Sequence, residues 1–325
     1  MATHNGATTL PEVLEAHCQV QPPSGGWKLV IVDNGSIDTT KEIIQSFADR
    51  LPLTRIFEPI LGKNASLNAA LASVEGDLVV LTDDDILPRC DWLVELRSAA
   101  DSQPSFSVFG GNVALRWEAP PEKWILSWVD LDAAYGLTDT SWEEGPVRPG
   151  NVFGGNMAIR TQIFEAGFRF DSRIGPRGAN YAMGSETELT KRLHKAGFKS
   201  WHCKRSVVEH IVRKPQMTAK WILGRAYRLG RGLYRLDVQH EYADRRKYFG
   251  VPRRLIKKTV IEALGAVRAK LGGDKAMFFR KCWELNCLMG YITEAKLIHK
   301  EAQGDTAIHG VLGETEILPE MMDNE

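Results

Sequence analysis

Two apolar stretches stand out along the chain, Trp27–Val32, interrupted only by Lys28, and the unbroken run Leu78–Leu81, and acid follows each: Asp33 directly after the first, Asp83–Asp85 one residue after the second. Short apolar runs of this kind suit strands covered on both faces. The stretches between them carry helix signals. Pro11 lies in the first turn of Thr9–Cys18, Asp38 stands as a cap before Thr39–Arg50, Gly62 opens a helix reaching Val74, and Trp92–Ala100 follows the second run. Further strands are expected at Leu53–Phe57, Phe106–Leu115, after Gly154-Gly155 and at Trp201–Val208, with a helix over Glu186–Ala196 that stops at Gly197. This alternation predicts an α/β fold with a mostly parallel central sheet flanked by helices. The order opens oddly, because Met1–Ala7 reads as a turn into a helix with no strand before it. The sheet's first strand is therefore expected to be missing, and the native reading frame to begin several residues upstream.

From Thr218 the pattern becomes helical: Trp221–Leu236, Leu255–Leu271 and Lys275–His299, the last two separated by Gly272-Gly273. In the first of these Arg225, Arg228, Arg231 and Arg235 recur at steps of three and four, which predicts one basic face. That face is either solvated or meets phosphates or an anionic membrane surface. Residues 303–325 are acidic, without aromatic side chains, and expected to be mobile.

Composition narrows the partners. Lys plus Arg and Asp plus Glu both number 41 in 325 residues, so no overall field recommends a nucleic acid. Five scattered cysteines without a CxxC pair fit neither a zinc site nor a disulfide framework, and point to a reducing, cytoplasmic compartment. No apolar run approaches the roughly 20 residues of a membrane span, so the chain is expected to be soluble or peripheral, with the inner face of the membrane as the further option.

The chemistry concentrates at strand ends. Alternation along an extended backbone would put Asp83 and Asp85 on one face and Asp84 on the other. Two carboxylates side by side call for a divalent cation or hydrogen-bond donors between them. Lys63 at a helix start favours an anion such as phosphate. Glu186 and Glu188 begin a helix after the glycine-containing stretch 175–184, a position that serves the helix dipole and equally suits a base. Gly154-Gly155 permits close approach of a ligand, or a bulge. Trp117, Trp124, Trp128 and Trp142 lie in an irregular stretch, and packing is the plainer reading than a sugar-binding surface.

Taken in order, Thr3–Gly6, Val32–Asp38, Gly62–Asn68, Thr82–Asp85, Gly154–Ala158, Gly184–Leu189 and His210 resemble the motif series of family 2 glycosyltransferases with the GT-A fold, which are nucleotide-sugar-dependent and typically inverting. The likeness runs from Ala2 to about Arg235. It implies that Thr3, Asn5, Asp33, Lys63, Asp83 and Asp84 serve the nucleotide, with Asp83 on the ribose. It further implies that Asp85 and His210 hold Mn²⁺ or Mg²⁺ on the diphosphate, and that Glu186 is the general base. The chain departs from the family's Glu-Asp pair by carrying Ser185 and Glu186, which leaves Glu188 as the other candidate base. The implied organisation is a catalytic domain over residues 1–215, with its nucleotide part to about 115 and its acceptor part beyond, and then a helical region over 216–302. The expected partners are a nucleotide-sugar donor, a UDP-sugar favoured, and a glycan or lipid-linked acceptor in cell-surface polysaccharide or glycoconjugate synthesis. A sugar nucleotidyltransferase would need a glycine-rich, arginine-containing loop near the N-terminus, and Thr3–Leu14 has none. A catalytically silent nucleotide-sugar-binding protein is the other alternative.

Overall fold

The computed structural model describes residues 1–178, 181–237, 247–248 and 251–302; the acidic segment 303–325 lies outside the described residues. The chain divides into two compact units, the first Met1–Arg116, Tyr135–Ala179 and Ser185–Val212, the second Trp117–Ala134, Asn180–Gly184 and Arg213–Glu325.

In the first unit, β1 (Ala2–Thr3), α1 (Leu10–Cys18), β2 (Leu29–Asp33), α2 (Thr40–Ser46), β3 (Leu53–Phe57) and α3 (Lys63–Ala70) follow one another. β1, β2 and β3 form a parallel sheet in that order, with Thr3 opposite Asp33 and Asp33 opposite Phe57. The position expected to lack a strand is thus occupied by a two-residue one, whose Ala2 also bridges in parallel to Asp83. α2 is shorter than expected and starts after Thr39; Asp38 does not act as the N-cap but accepts hydrogen bonds from the backbone of Thr40 and Ala7.

The apolar run Leu78–Leu81 is β4, and the acidic residues after it lead into a further short strand, β5 (Ile86–Pro88), before α4 (Trp92–Ser102). β6 (Val108–Trp117), α5 (Lys123–Trp128), α6 (Leu131–Tyr135), β7 (Gly145–Val147), β8 (Met157–Arg160), α7 (Thr161–Glu165), α8 (Ser185–Lys195) and β9 (Ser200–Val212) come next. β4 was expected among parallel neighbours. Beside its parallel link to Ala2 through Asp83, it pairs antiparallel with β8, and β5 and β7 pair antiparallel with β9. An apolar run reports burial on both faces, which either pairing direction satisfies.

His17 on α1 is buried, 1% exposed, with its ring edge-on to Trp92 at 5.9 Å. Its Nδ1 donates to the Val13 carbonyl at 2.7 Å, and its buried Nε2 has no hydrogen-bond partner among the described residues. Burial lowers its pKa from 6.5 to about 4. The folded state therefore binds fewer protons than the unfolded state between those values, so stability should be full above pH 6.5 and fall by up to about 3 kcal/mol as pH drops toward 4. His17→Leu should lose less stability than the native chain between pH 7 and pH 4.5 in urea titrations; equal losses would contradict this assignment.

The second unit contains α5, α9 (Ala219–Asp237), α10 (Arg253–Leu271) and α11 (Lys275–Ala302). α9 and α11 approach closely because they meet at glycines: a Cβ on Gly230 would fall 1.8 Å from the Cys287 carbonyl oxygen, and one on Gly290 would fall 1.9 Å from that of Tyr227. Trp124 and Trp128 pack on Phe279 in this unit, as the packing reading has it, while Trp142 packs on His202 in the first. The arginine stripe of α9 is not a free basic face. Arg231 and Arg235 each donate at 2.6 Å to Glu294 of α11, whose side chain is 0% exposed. Arg228 and Arg225 lie over the ring of Trp221, and burial lowers the pKa of Arg228. A buried carboxylate left without its cations is strongly destabilising, so Arg231 and Arg235, the partners of Glu294, belong to the core of the unit.

Candidate active site

The candidate residues meet at the carboxyl ends of β1, β2 and β4, where ligands bind in α/β sheets of this kind. The chain does not stay extended through the acidic run. Asp83 makes the bridge to Ala2, then a turn follows in which the Asp83 carbonyl accepts from the amide of Ile86 at 3.3 Å. That turn sends the three carboxylates to three partners. Asp83 pairs with Lys63 at 2.7 Å, Asp84 accepts from the Thr3 hydroxyl at 2.6 Å, and Asp85 faces Nε2 of His210 at 3.3 Å.

Lys63 is the hub. Its Nζ lies 3.4 Å from Oε1 of Glu186 as well. Burial opposes its charge, but Asp83, then Glu186 and Asp85, outweigh burial and hold its pKa above the ordinary lysine value. Asp83 thus faces Lys63, Asp84 leaves toward Thr3 and Asp85 toward His210. Glu186 reaches the cluster past Gly154: a Cβ there would stand 2.2 Å from Oε1 of Glu186. The paired glycines make room for a side chain of this chain, Ile86 being the neighbour of Gly155. Glu188 is placed otherwise. Both of its oxygens accept from Arg192, at 2.7 and 2.8 Å, in a pair spaced four residues apart on α8.

His210 is positioned by strand pairing, since β5 and β9 run antiparallel with Ile86 opposite His210. Nδ1 lies 2.7 Å from the Tyr135 carbonyl oxygen, which can only accept, so Nδ1 carries a proton. The ring is thereby oriented with Nε2 toward the Asp85 carboxylate. A neutral imidazole so held points a lone pair at the same place as a carboxylate oxygen, the arrangement a backbone carbonyl commonly imposes on a metal-binding histidine. The chemistry of this donor set, one carboxylate and one imidazole, would suit Mn²⁺ or Mg²⁺. Among the described residues no group of three or more His, Cys, Asp or Glu side chains is arranged to hold a metal by protein ligands alone.

The residues expected on the nucleoside lie beside this cluster. Asp33 is 1% exposed; its Oδ1 accepts from the Ser36 amide at 3.1 Å and its Oδ2 pairs with Arg55. Burial raises its pKa, but the bonds from Arg55 and Ser36 prevail and hold it below the usual carboxylate value. Asn5, at φ 52°, accepts from the Ile37 amide at 2.9 Å and so ties the turn after β1 to the turn after β2.

Buried asparagines that the sequence reading passed over set the geometry. Asn34 donates to the carbonyls of Glu58 and Ile60 and accepts from the Gly62 amide at 2.7 Å, which fixes the start of α3 and with it Lys63. Asn64 donates to the carbonyls of Asp171 and Ile174. Asn156 accepts from the Trp92 indole and donates to two carbonyls, of Asn112 and Ser206. Their one signal in the sequence is an amide side chain inside each motif, where an exposed loop would serve no such purpose.

The family model described as "Glycosyl transferase family 2" matches residues 1–168, and the chain belongs to this family. Among curated proteins it is 24% identical over 198 residues to "Glycosyltransferase AglE" of Haloferax volcanii, covering 60% of each chain. It is 36% identical over 67 residues to "Dolichyl-phosphate beta-glucosyltransferase ALG5A" of Trichomonas vaginalis, covering 20% of this chain and 21% of that one. The matches therefore span only 60% and 21% of the length of these relatives. Among solved structures, the mannosyltransferase PcManGT of Pyrobaculum calidifontis, in complex with GDP-Man and Mn²⁺, superposes with a TM-score of 0.59 at 18% identity, covering 91% of this chain and 85% of that one. TarS 1-349 of S. aureus in complex with UDP-GlcNAc gives 0.51 at 14% identity, covering 93% and 90%. The fold is the GT-A α/β fold with a helical C-terminal region.

Proposed function

We propose that the chain is an inverting glycosyltransferase that moves a sugar from a nucleoside-diphosphate donor, a UDP-sugar favoured, to a hydroxyl of a glycan or lipid-linked acceptor. One observation carries the reading: Asp83 and Glu186 converge on Lys63 at the strand ends while His210 is held facing Asp85. Family membership and structural neighbours solved in complex with GDP-Man and Mn²⁺ or with UDP-GlcNAc support it. In this reading Thr3, Asn5 and Asp33 shape the nucleoside side and Asp83 holds the ribose, with Asp84 acting through Thr3. Asp85 and His210 would hold Mn²⁺ or Mg²⁺. Such an ion supplies positive charge where negative charge develops on the leaving diphosphate.

The protein's own part of the step is proton removal and charge placement. The acceptor hydroxyl gives its proton to the Glu186 carboxylate as its oxygen attacks the anomeric carbon and the bond to the diphosphate breaks. Lys63, already beside both Asp83 and Glu186, supplies a fixed cation between donor and base. Glu188, clasped by Arg192, supports α8 instead. Incubation with UDP-, GDP-, dTDP- and CDP-sugars should release free nucleoside diphosphate from at least one of them when Mn²⁺ and an acceptor hydroxyl are supplied. Binding of a nucleotide sugar without release from any would favour the silent binding protein.

A further inference from the structure

α10 carries an outer face that neither α9 nor α11 covers. Leu255, Ala266 and Ala269 are its buried residues. Ile256, Val260, Leu264, Val267 and Leu271 are 42, 53, 65, 54 and 83% exposed, respectively. Recurring at steps of three and four, they fall within about 80° of the helix circumference and form one continuous apolar stripe. Isolated exposed apolar side chains need no explanation, whereas an aligned row of five along one helix does.

The charges beside the stripe have one sign. Lys257 and Arg268 border it directly, Arg254 and Lys258 lie further round the same side, and all four are exposed. Glu262 is the helix's one acidic residue and is bonded to Lys281 at 2.8 Å. The first turn holds basic residues and no acid, the reverse of what the helix dipole favours. Arg268, in the last turn, suits the dipole, but the cations of the N-terminal half do not stabilise the helix itself, and an external anionic surface is what they complement.

We propose that α10 docks the protein on an anionic lipid bilayer, lying in the plane of the interface with the apolar stripe at the acyl boundary and Lys257 and Arg268 among the headgroup phosphates. An amphipathic helix with an apolar stripe and basic residues beside it, among which Ile261 also stands 53% exposed, has the chemistry of an interfacial anchor. Among the described residues no helix is long and apolar enough to cross a membrane, so the contact is one of lying on the surface. A second copy of the chain is a poorer occupant: face-to-face packing of two such stripes would bring their flanking cations together, with Glu262 already engaged. The proposal places the membrane contact on α10 and away from the α9 arginines, two of which are committed to Glu294. It does not depend on the donor or the acceptor.

The test is co-sedimentation of the full chain with phosphatidylcholine vesicles, with and without phosphatidylglycerol. Binding should be at least about tenfold tighter with the anionic lipid and should weaken as salt is raised. Val260→Glu with Leu264→Glu should reduce binding by about tenfold or more, with an unchanged thermal midpoint because both positions are exposed. Lys257→Glu with Arg268→Glu should remove the preference for phosphatidylglycerol. Failure to sediment with anionic vesicles at low salt overturns the proposal, as does binding unaffected by both double variants. A solution dimer that Leu264→Glu dissociates would assign the face to a second copy and overturn it equally.

Discussion

Replacing Glu186 by glutamine is expected to lower sugar transfer by about 10² to 10⁴ while leaving binding of the nucleoside diphosphate nearly unchanged. The amide keeps the shape that fits beside Gly154 and can still accept from Lys63, but it cannot take a proton from the acceptor. Glu188→Gln is expected to do much less. Its carboxylate already receives two hydrogen bonds from Arg192, so the change weakens a clasp on α8 instead of removing a base. A reversed ranking in steady-state kinetics would move the base to Glu188. Near-full transfer by both variants would contradict a single-carboxylate mechanism altogether.

Asp85→Ala is expected to reduce transfer by about 10³ or more and to abolish the dependence of diphosphate binding on Mn²⁺. The backbone should survive the change, because the Asp85 carbonyl, which accepts from the Ile211 amide at 2.9 Å, is retained. Titration of UDP by calorimetry with and without Mn²⁺ separates this from a general loss of fold. Both arms should look alike for the variant and differ for the native chain. Native turnover persisting in excess chelator would refute a metal role for Asp85 and His210.

Much of this site was legible because strand ends mark themselves. An apolar run breaking into Asp83–Asp85 and a glycine-lysine pair opening α3 each declare a location, and their order along the chain suggested the family. The turn at the acidic run was not legible, because alternation assumes an extended backbone and Ile86 closes a hydrogen bond back to Asp83. The α9 arginines misled for a related reason. Charges at helical spacing look solvated when the buried partner, Glu294, is supplied by another helix 63 residues after Arg231. The role of Gly154 was hidden likewise, since the side chain needing its space comes from α8. Local pattern reports what a residue does to its own element; contacts between distant elements have to be seen. The short strand Ala2–Thr3 is a case of the same kind, too brief for periodicity and defined by its pairing with Val32 and Asp33.

The most direct measurement of the central claim is the anomeric configuration of the glycoside formed from an α-linked nucleotide sugar with Mn²⁺ and an acceptor hydroxyl, read by proton NMR. Direct attack assisted by Glu186 as the one base gives a β-linked product whose rate of formation falls with Glu186→Gln. An α-linked product, or no product from any donor that the protein binds, would contradict the account.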